Sequence, residues 1–296
     1  MSSKNIIKKL IPSITIAILS ILLIGCKKSD SRNIAVIKPL EKSEIITLTM
    51  ESKYLDKKVP YIVYLPKGYG DGSEHPVWYG LHSFSMNETM WVNNGIAEAA
   101  DELIDSGEIE PLIMVFPFVK EASLKEIEAD INDDGKLDER NVDKFISAEL
   151  IPYIDSQYFT VTSQDGRFIG GFSMGGMMAL RIAFHHTDLF SKVGGYSPGV
   201  LSNDFSDKQL EQWLFPNDNV DEIDDVAAFA KEKGFTNLNI YMDAGNANDP
   251  FTVGLQSLYE ALQLRNVKSE FIIYDGGHSL QTSLIKDYLK FYTGID

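Results

Sequence analysis

The sequence predicts an α/β fold in which helices cover both faces of a mostly parallel central sheet. From about residue 45 onward, short apolar runs alternate with longer amphipathic segments, which indicates strands and helices in turn. Several apolar runs are continuous, as expected of strands that are buried on both faces. Residues 41–296 lack a linker-like break, so we predict one domain there.

The same patterns place the individual elements along the chain. The predicted strands are 45–50, 61–65, 77–81, 112–116, 168–171, 192–196, 238–243 and 270–274. The predicted helices are 97–106, 142–157, 174–185, 223–233, 252–264 and 280–292. The segment 199–221 has no clean period, and we predict an irregular insertion there, near the opening of the functional site.

The N-terminus has the pattern of an export signal. Lys4, Lys8 and Lys9 precede an uncharged apolar stretch, and residues 1–25 are therefore predicted to be a signal peptide. This stretch of about 15 residues is shorter than the roughly 20 that a transmembrane helix needs. Residues 23–26 read Leu-Ile-Gly-Cys and resemble the lipobox of bacterial lipoproteins. That resemblance implies lipidation of Cys26, a flexible tether over residues 26–40, and anchoring to a bacterial membrane, periplasmic or at the cell surface.

Cysteine count and charge exclude several classes of function. Cys26 is the only cysteine, so the mature domain has no intramolecular disulfide, no thiol nucleophile and no cysteine-based metal site. The formal net charge is −16, which disfavours a nucleic-acid partner because its phosphate backbone would be repelled. Contact with a membrane is predicted through the lipid anchor only.

A serine motif lies between a predicted strand and a predicted helix. Residues 171–175 match G-x-S-x-G, with Ser173 at the centre, an apolar strand before it and a helical run after it. This setting is that of the nucleophile elbow of α/β-hydrolases, in which small flanking residues allow the sharp turn that exposes the serine hydroxyl. We therefore predict Ser173 as a nucleophile and residues 41–296 as an α/β-hydrolase catalytic domain.

A serine hydroxyl needs a base to take its proton, and five histidines are present. In α/β-hydrolases the acid and then the histidine follow the serine, which sets aside His75 and His82. His185 and His186 fall at the far end of the predicted helix, about 17 Å from the serine. His278, in a glycine-rich loop after the last strand, is therefore the predicted general base.

The acid of the triad should follow the strand 238–243 and hold the imidazole in the correct tautomer. Asp243 is still within that strand, whereas Asp249 lies in the loop beyond it, and we favour Asp249. Asp243 and Asp275 remain alternatives.

Two backbone N–H groups are also needed to stabilise the oxyanion. We predict those of Met174 and of Phe84, with Ser83 as the alternative to Phe84, and we give His82 no role in proton transfer.

Seven segments resemble the putative-esterase family of α/β-hydrolases. They are 80–82, 111–117, 150–154, 170–176, 188–191, 197–199 and 276–279. The family contains feruloyl and acetyl-xylan esterases, enterochelin esterases, S-formylglutathione hydrolases and mycolyltransferases. The resemblance covers residues 45–293 and supports Asp249, since family members carry the acid in a Gly-x-x-Asp-like loop. Ser83 and Leu280 depart from it, because a glycine and an aromatic residue are usual there.

The resemblance implies a serine esterase that hydrolyses carboxylic esters through an acyl-enzyme and needs no cofactor. The expected substrate is a small-molecule or oligosaccharide ester, most simply an acylated carbohydrate of feruloyl or acetyl type. A siderophore esterase and an acyltransferase are the alternatives within this chemistry. A non-catalytic, calcium-stabilised surface binding protein is the alternative outside it.

An acidic segment fits the start of an EF-hand-type calcium loop. Its ligand positions carry Asp130, Asn132, Asp134, Lys136 (through its carbonyl) and Asp138, with Gly135 at the turn. The twelfth position is Asn141 instead of the usual glutamate, although Glu139 is adjacent. A structural calcium ion and a solvated acidic loop are both compatible with this pattern.

Overall fold

An eight-stranded sheet runs through the described part of the protein, which comprises residues 38–120, 140–200 and 237–295 of a computed structural model. The strand order is β1-β2-β4-β3-β5-β6-β7-β8. The first two strands run antiparallel to their neighbours, and the pairs from β4 through to β8 are parallel. The strands are β1 Glu44–Ser52, β2 Lys57–Leu65, β3 Val77–Leu81, β4 Ile113–Pro117, β5 Arg167–Phe172, β6 Lys192–Tyr196, β7 Asn239–Gly245 and β8 Lys268–Tyr274.

Helices lie on both faces of this sheet, as the sequence predicts. They are α1 Met90–Asn93, α2 Ile96–Ser106, α3 Arg140–Lys144, α4 Ile151–Gln157, α5 Met174–His185, α6 Thr252–Leu264 and α7 Ile285–Thr293, with 3₁₀ turns at Gln164–Gly166 and Thr282–Leu284. Side chains of α2 and α7 pack into one hydrophobic cluster, and those of α4, α5 and α6 pack into the other. The predicted α/β-hydrolase architecture is thereby confirmed.

Alternation of side chains along the strands supplies both clusters. In β3, Val77, Tyr79 and Leu81 belong to one cluster and Trp78 belongs to the other, because successive side chains of a strand point to opposite faces. All residues of β3, β4 and β5 are buried, which confirms that their continuous apolar runs mark strands covered on both sides. The sheet is thus a rigid layer between two apolar cores.

The structure corrects two of the predicted helices. The helix predicted for 142–157 contains a π-helical segment, Phe145–Leu150, in which the N–H of Ile151 donates to the carbonyl of Ile146. Pro152 follows at once and has no N–H to continue the regular ladder. The helix predicted for 280–292 begins only at Ile285, since residues 275–281 form the loop that carries His278.

Several predictions fall outside the described residues. They are the signal peptide, Cys26 and most of the tether, the calcium loop at 130–138, the helix 223–233 and most of the insertion at 199–221. Of the helices that are described, none is both long enough and apolar enough to cross a membrane.

Candidate active site

Ser173 occupies the tight turn between β5 and α5. Its backbone has φ 56° and ψ −117°, a conformation that residues other than glycine adopt only under strain. The turn is closely packed, since a Cβ atom added at Gly171 would lie 2.4 Å from the backbone carbonyl of Gly175. The chain therefore has the geometry of a nucleophile elbow, with the serine at its apex.

The topology of the sheet gathers the other site residues around this turn. Strand β5 lies between β3 and β6, and β7 and β8 continue the sheet on the β6 side. Because these strands are parallel, the loops that follow their carboxyl ends meet at one edge. The loops after β3, β7 and β8 carry Phe84, Asp249 and His278 respectively, so the sequence-predicted residues come from the same edge of the sheet.

His278 is brought into hydrogen-bond contact with Ser173. Its Nε2 atom lies 2.8 Å from the serine Oγ. The imidazole ring is stacked on Phe172, with ring centroids 5.2 Å apart, and meets Phe251 edge-on at 4.8 Å. These two rings provide the aromatic contacts to the histidine, while Leu280 packs against the hydrophobic core. The imidazole is thus held in one orientation and remains partly open, with 26% of the His278 side chain exposed.

Asp249 is the carboxylate that approaches the far side of this imidazole. Its Oδ1 lies 3.6 Å from Nδ1 of His278, and its side chain is fully buried. The N–H groups of Gly245 and Phe251 donate to its two oxygens at 3.1 and 3.0 Å. These two hydrogen bonds fix the position of the carboxylate. The separation of 3.6 Å exceeds the length of a good hydrogen bond.

The two alternative acids, Asp243 and Asp275, form hydrogen bonds to groups other than His278. Asp243 accepts hydrogen bonds from the N–H of Ser197 and the hydroxyl of Tyr288, at 2.8 and 2.7 Å. Burial raises the pKa of Asp243 to about 7, although these two hydrogen bonds oppose the increase. Asp275 accepts a hydrogen bond from the side chain of Asn246. The geometry therefore favours Asp249 over both.

Ser197 is a site residue that the sequence reasoning did not identify. Its Oγ lies 2.8 Å from Nδ1 of His278 and 2.6 Å from Oδ2 of Asp249, and the residue is completely buried. The available signal was its place directly after β6, the strand beside the elbow strand, where a polar residue reaches the same edge of the sheet.

The loop after β3 lies against the elbow and is braced by His82. The histidine is buried, its Nδ1 lies 2.8 Å from the carbonyl of Ser83, and its Nε2 accepts the N–H of Val119 at 3.0 Å. We therefore assign the proton to Nδ1. Burial lowers the pKa of His82 to about 4, so the ring is neutral near pH 7. This agrees with a histidine that shapes the loop and transfers no proton.

The same loop bears on the second oxyanion donor. The N–H of Ser83 is directed at Sδ of Met90, at 3.4 Å. This contact favours Phe84 over Ser83 as the donor that faces a ligand. Met174 supplies the first N–H position of α5, where a helix leaves its N–H groups without intrahelical partners.

The remaining histidines lie outside this constellation. His185 and His186 both bond to Asp143, in agreement with their predicted position at the far end of α5. Burial alone would raise the pKa of Asp143, but the two histidines hold it below its usual range. Within the described ranges, no group of three or more His, Cys, Asp or Glu side chains could hold a metal ion.

Comparisons with known proteins place this site in a family. The model of the family described as "Putative esterase" matches residues 52–287. An endo-1,4-beta-xylanase/feruloyl esterase of Xylanibacter ruminicola is 30% identical over 185 residues, which is 60% of this chain. An endo-1,4-beta-xylanase Y of Acetivibrio thermocellus is 25% identical over 199 residues, or 63% of this chain. The matched regions are only 25% and 16% of these two longer relatives.

Solved structures with the same fold include several esterases. A ferulic acid esterase superposes with a TM-score of 0.68 at 24% identity, covering 86% of this chain and 98% of its own. A feruloyl esterase module of Clostridium thermocellum, complexed with sinapinate, gives 0.66 at 17% identity, covering 89% and 96%. The family match covers well over half of the sequence, so the protein belongs to the putative-esterase family of α/β-hydrolases.

Proposed function

We propose that the protein is a serine esterase that removes feruloyl or acetyl groups from acylated carbohydrate. Ser173 is the nucleophile, His278 the general base, and Asp249 the acid that stabilises the charged imidazole. The N–H groups of Met174 and Phe84 stabilise the oxyanion. The observation that carries this proposal is the 2.8 Å contact between Ser173 Oγ and His278 Nε2 at a strained elbow.

The reaction follows from these positions. Ser173 Oγ attacks the ester carbonyl while its proton passes to Nε2 of His278, and the carbonyl oxygen becomes an oxyanion. Collapse of this intermediate expels the alcohol, which takes the proton from His278 and leaves an acyl group on Ser173. Water, deprotonated by the same imidazole, then attacks the acyl-enzyme. The bond between Ser173 Oγ and the acyl group breaks, the imidazole returns the proton to Oγ, and the carboxylic acid is released.

The names of the relatives support the substrate class. The Xylanibacter protein is named as a xylanase and feruloyl esterase, and a third solved structure, from Anaeromyces mucronatus, is described as a ferulic acid esterase in complex with ferulic acid. Both names specify a feruloyl ester, and the xylanase part of the first name adds a polysaccharide as the carrier of the acyl group. An ester on an acylated carbohydrate is therefore our proposal for this chain.

A substrate panel tests the proposal directly. We expect the full chain in detergent to hydrolyse methyl ferulate or an acetylated xylo-oligosaccharide with a kcat/KM at least about 10-fold above that for a siderophore lactone or S-formylglutathione. A fluorophosphonate should also phosphonylate Ser173 in a 1:1 ratio, and mass spectrometry of the labelled peptide should exclude Ser197 as the site. If the protein shows no turnover and no labelling, the result would instead support a non-catalytic binding protein. A preference for the lactone or the thioester would overturn the substrate class alone.

The N-terminal sequence supports a second proposal, on location. We infer that the protein is exported and held at a bacterial membrane by lipid on Cys26, because the sequence before it has the order of a lipoprotein signal. Metabolic labelling with palmitate should mark the wild-type chain and fail to mark Cys26→Ser. The variant should also move from the membrane fraction to the soluble fraction. Equal labelling of both chains would contradict the anchor.

A further inference from the structure

The contact on Nδ1 of His278 differs from a direct acid–histidine pair. The nearest polar atom recorded on Nδ1 is Ser197 Oγ at 2.8 Å, whereas Asp249 Oδ1 lies at 3.6 Å. The same Ser197 oxygen is 2.6 Å from Asp249 Oδ2. A serine hydroxyl therefore stands between the buried carboxylate and the imidazole.

With the carboxylate of Asp249 ionised, only one arrangement of protons satisfies all three contacts. Since Nε2 must accept the proton of Ser173, the neutral imidazole carries its own proton on Nδ1. Nδ1–H then donates to Ser197 Oγ, and the Ser197 hydroxyl donates to the carboxylate of Asp249. If the Ser197 hydroxyl donated to Nδ1 instead, its oxygen would face the carboxylate of Asp249 at 2.6 Å with no proton between the two.

Ser197 is held in place from its backbone by the other buried acid. Its N–H donates to the carbonyl and to Oδ1 of Asp243, at 3.1 and 2.8 Å. Its φ of 43° is unusual for a residue other than glycine, and no part of the residue is exposed. Asp243 therefore fixes the backbone of Ser197, and Asp249 fixes its side chain.

The surrounding contacts hold Asp249 and His278 at this separation. Asp249 is tied to the N–H groups of Gly245 and Phe251, and the imidazole is enclosed by Phe172 and Phe251. These contacts hold both groups in their present positions. The hydroxyl of Ser197 fills the space that a direct bond between the two would need.

We propose that Ser197 is a positioning residue of the esterase, and that its hydroxyl both orients His278 and transmits the charge of Asp249 to Nδ1. The inference rests on the proposed function, because it assigns a role relative to the base of that reaction. When Ser173 attacks, its proton moves to Nε2, and the protons on Nδ1 and on Ser197 stay in place. The imidazolium is then stabilised through two hydrogen bonds in series.

Ser197→Ala should lower kcat by about 10- to 100-fold, less than the loss of a triad member, because the charge of Asp249 remains nearby. KM should change little, since Ser197 is completely buried. The acid limb of the kcat/KM profile should move to lower pH, because the imidazolium loses the oxygen that accepts from its Nδ1–H. The titratable groups around Ser197, besides His278, are Asp249, Asp243 and the hydroxyl of Tyr274, and all three stay intact in the variant.

Two further variants separate positioning from structure. Ser197→Gly suits a positive φ, and we expect it to unfold at the same temperature as wild type or higher while losing kcat to the same degree as Ser197→Ala. Ser52→Ala is the matched control, because Ser52 is also buried and donates to a carboxylate, Glu149, at 2.6 Å. Ser52 lies on β1, at the opposite end of the sheet from β7 and β8. The Ser52→Ala variant should leave kcat and the pH profile unchanged.

The pKa of His278 can also be followed without substrate, by NMR of histidine-labelled protein with His278→Gln to assign the signal. We expect a lower pKa in both Ser197 variants than in wild type. If both variants keep the wild-type kcat, pH profile and imidazole pKa, Asp249 acts on His278 directly and the inference is wrong. Inactivity of the wild-type enzyme on every ester would instead overturn the proposed function, while the NMR titration would still report on Ser197.

Discussion

Ser173→Ala is expected to lower kcat/KM for ester hydrolysis by about 10⁴- to 10⁶-fold, because it removes the atom that forms the acyl-enzyme. KM for the residual reaction should stay near the wild-type value, since the oxyanion N–H groups and the pocket remain. The measurement is steady-state hydrolysis of the preferred ester by wild type and variant, with circular dichroism to verify that the variant is folded.

The strain at the elbow gives this experiment an internal control. Alanine keeps the unfavourable φ of 56° at position 173, whereas Ser173→Gly relieves it. We expect the glycine variant to be inactive and more stable than the alanine variant, by about 1 kcal/mol in the free energy of unfolding. Retention of more than a tenth of wild-type kcat by either variant would contradict Ser173 as the nucleophile.

Gly175→Ala is expected to have the largest effect on stability. A Cβ atom at this position would lie 2.5 Å from the carbonyl oxygen of Leu81 and 2.6 Å from that of His82. Both are backbone atoms at the end of β3, so relief of the clash requires a shift of the strand end or of the elbow. We expect the free energy of unfolding to fall by about 2–4 kcal/mol, with a lower Tm in thermal denaturation. Activity should fall as well, because the same shift moves the oxyanion loop away from Ser173.

Gly199→Ala is the matched control for that loss of stability. The atoms nearest to a Cβ added at Gly199 are backbone atoms of Ser173 and Met174. They lie at 3.7 Å, an ordinary van der Waals distance. We expect its free energy of unfolding to stay within about 0.5 kcal/mol of wild type. An equal loss in both variants, or none in Gly175→Ala, would show that the elbow does not depend on this close approach.

Much of the fold follows from local patterns. Apolar continuity identified β3, β4 and β5, because a strand covered on both faces has no polar side to show. The helix Met174–His185 begins and ends where predicted, since the glycine-flanked serine marks its start. The order of serine, acid and histidine along the chain set aside two of the five histidines, and the length of the helix after the serine set aside His185 and His186, which left His278.

The differences from the structure arise where particular side-chain contacts decide the conformation. Leu280 has the period of the last helix, yet the hydroxyl of Tyr274 bonds to the carbonyls of Gly277 and Ser279 and keeps this segment a loop. The choice among Asp243, Asp249 and Asp275 depended on which carboxylate reaches a ring that lies in another loop. Neither contact is encoded by a periodicity or a motif.

The sequence by itself therefore determined the sheet, its two covering layers, the family and the residues placed by motif order. Only the tertiary structure decided what surrounds His278, namely the rings of Phe172 and Phe251 and the hydroxyl of Ser197. The physical reason is that a strand or an elbow is specified by neighbours in the chain. A hydrogen bond across three loops exists only once the parallel sheet has brought their carboxyl ends to one edge.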